Sequence, residues 1–195
     1  MISHKLKFIF VHIPKTSGNS LSLFLKDFID NEVIQRSSKM GEKQGISIIC
    51  EKTKKDIKHN NITYYKNIYG EKINDYLKFT IVRNPYDRML SFYFWNKGKN
   101  NQKFIRNEFI NFVKNNDSFQ NEYIDDTFHI IYYENLVNEL KNIECFKDII
   151  DFYNYPRLNS SSNSKVNYNE IYDKELKDLV FNKYKKDFEL FGYEY

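Results

Sequence analysis

Three groups of residues in this chain have types and spacings suited to chemistry on an anion. The first is Lys15-Thr16-Ser17-Gly18-Asn19-Ser20. Gly18 lets a backbone come close to a ligand, Thr16, Ser17 and Ser20 offer hydroxyls, and Lys15 adds a full positive charge. The second is Arg83 with Ser91 eight residues on. A guanidinium grips a phosphate through two parallel hydrogen bonds and a serine hydroxyl can join it, while the alternative is an Arg83 tied to Asp87. The third is His59, whose side chain titrates near neutrality as a general base must, or else serves as a surface or capping residue. The loop is not a Walker A motif, because its lysine precedes its single glycine instead of following a second one.

These residues need elements to hold them. Phe8, Ile9, Phe10, Val11 and Ile13 form an apolar run short enough to be a buried strand, stopped by Pro14. After the polar turn, Leu21, Phe24, Leu25, Phe28 and Ile29 mark one stripe of an amphipathic helix. The first N–H groups of such a helix lack partners and carry the positive end of its dipole, so they face an anion. Phe79–Arg83 reads as another strand, and Asn84-Pro85 opens a helix with a cap residue and a first-turn proline. Arg83 therefore stands at the carboxyl end of a strand, the edge where open α/β sheets take ligands.

Further along, residues 30–45 read as a loop before a strand at Ile46–Cys50, and His59 precedes a helix over Ile62–Tyr69 closed by Gly70. Helical stripes follow at Phe104–Val113, Glu144–Tyr153 and Lys174–Phe188, with a strand at Phe128–Tyr133. His129 falls inside that strand and reads as a sheet residue. Asn159–Lys165 (NSSSNSK) is either a linker or a polar lid with Asn159, Ser160 and Lys165 as donors. The expected fold is α/β: a single P-loop-like, three-layer domain over residues 1–195, with a central, mainly parallel sheet flanked by helices.

Composition narrows the function. The 195 residues include 17 Phe and 16 Tyr, enough to fill a core, with a formal net charge of +4. That balance favours anionic ligands but lacks the basic stripe of a nucleic-acid binder. Cys50 and Cys145 have neither disulfide nor zinc spacing, and no ligand cluster calls for a metal. No apolar run is long enough to span a bilayer and no signal peptide is visible, so a cytoplasmic protein without a transmembrane segment is expected.

Taken together, IPKTSGNS (13–20), VRNPYDRMLSFY (82–93), YYENL (132–136) and the closing YDKELKDLVFNKYKKDFELFGYEY resemble the carbohydrate-type sulfotransferases, sulfotransferase family 2, in the family's order. The resemblance implies 3′-phosphoadenosine 5′-phosphosulfate (PAPS) as donor, adenosine 3′,5′-bisphosphate as product, and a hydroxyl of a carbohydrate or polysaccharide as acceptor, without a metal. It implies that Lys15–Ser20 holds the 5′-phosphosulfate, with Lys15 at the bridging oxygen, and that Arg83 and Ser91 hold the 3′-phosphate. His59, in KHNNITYYK, matches the general base more loosely, since Asn61 and Ile62 replace the usual residues. Gln120 and Tyr123 resemble a Q-x-x-Y element near the acceptor, and Asn159 and Ser160 a late loop over the adenosine. Two other readings stand beside it. A nucleotide-dependent kinase would need the absent Walker lysine, and a non-catalytic nucleotide-binding relative would keep the donor loop without turnover.

Overall fold

The computed structural model describes residues 1–30, 33–40, 43–50, 52–98, 103–147, 155 and 168–195. Its strands are β1 (Ile2–Ser3), β2 (Phe8–Val11), β3 (Val33–Met40), β4 (Lys43–Cys50), β5 (Leu77–Val82) and β6 (His129–Tyr132). Every residue of β2 is buried, as a strand covered on both faces requires. β2 runs parallel to β5 with Val11 opposite Thr80, and β5 runs parallel to β6 with Val82 opposite Tyr132. β1 adds an antiparallel edge, giving the order β1-β2-β5-β6. The Thr80 hydroxyl donates to the Val11 carbonyl at 2.7 Å and pins the carboxyl ends of the two central strands together. This is the expected α/β class, a central and mostly parallel sheet with helices around it.

The helices are α1 (Gly18–Phe24), α2 (Ile62–Tyr69), α3 (Pro85–Lys97), α4 (Arg106–Asn115), α5 (Leu136–Lys141), α6 (Tyr168–Ile171), α7 (Lys174–Lys183) and α8 (Lys185–Phe191). The described chain forms two compact units, Met1–Val82 with Glu122–Asn159, and Arg83–Asn121 with Ser160–Tyr195. In the first unit the sheet packs with Leu21 of α1, Ile62, Tyr65 and Tyr69 of α2, and Leu136 and Leu140 of α5. The second unit is helical. Its core joins Tyr86, Met89 and Tyr93 of α3, Phe109 and Val113 of α4, Leu176 and Val180 of α7, and Phe188 of α8. Each buried aromatic or aliphatic side chain contributes about 1.5–3 kcal/mol of transfer free energy.

Four expectations change. Residues 33–40 are not loop: they pair antiparallel with 43–50 from Val33–Cys50 to Met40–Lys43. Backbone bonding overrides the loop-like serines and glycine there. The closing helix is interrupted, because Tyr184 leaves helical geometry with ψ 23° and splits it into α7 and α8. Its ring is buried in the core and its hydroxyl donates to the Asn116 carbonyl at 2.7 Å. The α1 stripe also stops early: Lys26–Phe28 tightens into a single 3₁₀ turn. Of the helix expected at Glu144–Tyr153, Glu144–Phe146 forms a 3₁₀ turn and residues 148–153 lie outside the described residues.

Candidate functional site

The turn after β2 is where the first unit concentrates polar groups. Lys15 and Ser17 both have left-handed backbones, φ 70° and 72°, while Thr16 between them does not. Alternation of this kind turns successive N–H groups toward one concavity, a nest for an anion, and holding two non-glycine residues there costs on the order of 1–3 kcal/mol each. Thr16 is fully buried and its hydroxyl donates to the Ile13 carbonyl at 2.8 Å, so that hydroxyl braces the turn. Ser20 is buried on α1, and Lys15, Ser17 and Asn19 are half-buried.

Gly18 is required for space and not for backbone freedom. A Cβ there would lie 1.8 Å from Cδ2 and 2.1 Å from Nε2 of His12. His12 was not among the expected site residues. It follows β2, is only 4% exposed, and stacks on Phe10 two residues earlier at 5.9 Å. The period of a strand was the available signal, since residues 8, 10 and 12 share one face. Burial holds the His12 imidazole well below its ordinary pKa, and the charges of His59, Lys58 and Lys15 push the same way.

His59 lies against this histidine. Its Nδ1 is 3.0 Å from the His12 carbonyl oxygen, and the two rings are 4.5 Å apart, centre to centre. A carbonyl only accepts, so Nδ1 carries the proton and the Nε2 lone pair is the basic one. The ring is exposed, two residues before Asn61, which caps α2 by accepting from the Tyr64 N–H. Among the described residues, buried polar atoms left without a hydrogen bond include His12 Nδ1, Asn19 Oδ1 and the Tyr155 hydroxyl. Tyr155 packs on Phe24 and lies near Ser17 without closing a hydrogen bond; burial pushes its hydroxyl up to about 12, so it remains a proton donor. Buried polar atoms are normally satisfied, so three orphans beside one strained turn fit a polar ligand there.

In the second unit, Arg83 immediately follows β5, and its Nε donates to Asp87 at 2.7 Å. The Arg83–Asp87 pair of the alternative reading is therefore present. Asp87 and Ser91 are one helical turn apart on α3, so Ser91, half-buried, extends the stripe to which the guanidinium is tied. Gln120 is fully buried and both ends of its amide meet the Arg83 backbone. The resemblance implied an acceptor contact for this side chain, whereas its partners lie within the protein. Tyr123, in the first unit, is partly buried against the sheet core. Asn159, Ser160 and Lys165 lie outside the described residues. Among the described residues there is no group of three His, Cys, Asp or Glu placed to hold a metal, and no helix is long and apolar enough to cross a membrane.

Neither the search of curated proteins nor that of solved structures found a significant match. A family model described as "Sulfotransferase family" does match, over residues 1–153. That span takes in the strained Lys15–Ser20 turn, the His12–His59 pair and the Arg83–Ser91 segment, and ends before α6–α8. With more than three-quarters of its length matched and a mainly parallel central sheet, the chain belongs to the sulfotransferase family, whose members transfer sulfuryl groups.

Proposed function

We propose that this protein transfers the sulfuryl group of PAPS to a hydroxyl of a carbohydrate acceptor. The observation that carries this reading is the turn at Lys15–Ser20, with left-handed residues at 15 and 17 and orphaned polar atoms of His12, Asn19 and Tyr155 in its unit. The donor, when bound, supplies an activated sulfuryl group on a phosphate leaving group. Lys15 and the N–H groups of the turn hold the 5′-phosphosulfate and offset the charge that builds on the bridging oxygen. Arg83, oriented by Asp87, and Ser91 hold the 3′-phosphate. His59 removes the acceptor proton through Nε2, with Nδ1–H anchored on the His12 carbonyl so that the ring keeps one tautomer. Tyr123 contributes to the acceptor side. Positioning and charge do most of the work in such an in-line displacement. The carbohydrate acceptor is inferred from the family resemblance.

The test is calorimetric binding of adenosine 3′,5′-bisphosphate without metal, compared with ADP and with ATP–magnesium. Preference for the bisphosphate, weakened by Arg83→Ala, is the expected result. Preference for ATP–magnesium would favour a kinase, and binding of neither would leave a non-catalytic relative.

A further inference from the structure

Gln120 has a geometry that no acceptor contact accounts for. Its Oε1 accepts the Arg83 N–H at 3.0 Å and its Nε2 donates to the Arg83 carbonyl at 2.9 Å. The two bonds grip the main chain on both sides of one α-carbon, as a neighbouring strand would, and fix the direction in which the Arg83 side chain leaves the backbone. Gln120 is itself held. Its own N–H donates to Asp187 Oδ2 at 2.9 Å, and the other carboxylate oxygen takes the Asn121 N–H at 2.9 Å and the Asn121 side-chain amide at 2.5 Å. Asp187 is fully buried on α8. From the other side, the buried Arg88 guanidinium of α3 donates to the Ser118 carbonyl and hydroxyl, both at 2.8 Å. Residues 118–121 are thus pinned by α3 and α8, and they return a rigid amide to Arg83.

We infer that Gln120 is a positioning residue for recognition of the donor's 3′-phosphate, acting through the backbone of Arg83 and held in register by Asp187. This inference rests on the donor reading proposed above. A fully buried amide that spends both ends on one residue's main chain is turned toward the protein and not toward a sugar. It stands instead where preorganisation of the phosphate-binding arginine requires support. Asp87 then sets the guanidinium plane and Gln120 sets its root.

The experiment compares calorimetric binding of adenosine 3′,5′-bisphosphate and adenosine 5′-monophosphate, which lacks the 3′-phosphate, to the wild type and to Gln120→Met. Methionine keeps the length and removes both hydrogen bonds. The expected result is an affinity for the bisphosphate about ten- to a hundredfold weaker, with monophosphate affinity within about twofold of wild type. Gln120→Asn keeps a neutral amide but is one methylene too short to reach both Arg83 groups, and should show a loss of the same selective kind; it carries the test should Gln120→Met fail to fold. Unchanged binding of both ligands, or an equal loss of both, overturns the inference. A wild type that does not prefer the bisphosphate overturns the donor reading itself, and the inference with it.

Discussion

The left-handed backbone of Lys15 and the buried ring of His12 shape the turn after β2. If the Lys15 ammonium meets the bridging oxygen, Lys15→Ala should lower kcat by roughly 10²–10³-fold, the scale for loss of one preorganised donor, in steady-state assays with PAPS. A variant with near wild-type kcat would remove Lys15 from that role. At Gly18 the expected effect is steric. Gly18→Ala drives a methyl into the His12 ring, at a cost of about 1–3 kcal/mol by urea unfolding, and His12→Ala in the same chain should recover most of it. If the double variant is no more stable than Gly18→Ala, the clash is not the cause. His12 also predicts a pH dependence. Its native pKa is depressed by burial, so near pH 6.5 the unfolded chain takes up a proton that the folded chain refuses. Its contribution is present above about pH 6.5 and is lost as pH falls toward the native value, at up to about 1.4 kcal/mol per pH unit. Denaturation curves between pH 5 and 7 should therefore be flatter for His12→Asn than for wild type, and parallel profiles would count against this account.

At the scale of elements, the caps decide where helices begin. Asn84 accepts from the Tyr86 N–H at 2.9 Å, with Pro85 at the first helical position of α3. Asn84→Ala should cost about 1 kcal/mol in chemical denaturation. Asn61 caps α2 through a longer contact, 3.4 Å to the Tyr64 N–H, and its alanine variant should cost less. Equal losses would mean that cap geometry does not grade the effect. The break between α7 and α8 follows the same logic of local bonding. The buried Tyr184 ends one helix, and Asp187 in the next accepts the N–H groups of residues 120 and 121.

At the scale of the whole molecule, a donor-site ligand binds the folded chain and not the unfolded one, so it must raise thermal stability. Adenosine 3′,5′-bisphosphate at a hundred times its Kd should add about 2.7 kcal/mol, or about 5–10 °C in Tm for a chain of this size. Adenosine 5′-monophosphate at the same concentration should add less, because it lacks the phosphate assigned to Arg83 and Ser91. Equal shifts from the two nucleotides would show that the 3′-phosphate is not read. The formal net charge of +4 adds a general attraction for both, and its share should fall as salt is raised.

The sequence alone determined what is local. The apolar run at 8–13, the Asn84-Pro85 start, Gly70 as a helix end, and the spacing within 13–20 and 83–91 each have a cause within a few residues. They were enough for the α/β class and for the family, because that resemblance rests on short motifs kept in order. Only the tertiary structure decided what depends on distant partners. It paired residues 33–40 with 43–50, split the last helix at Tyr184, and put the His12 ring in the space left by the missing side chain of Gly18. It also turned the Gln120 amide onto Arg83, 37 residues away. A hydrogen bond between residues so far apart has no periodicity to announce it; its partners are chosen by which buried polar groups would otherwise go unsatisfied.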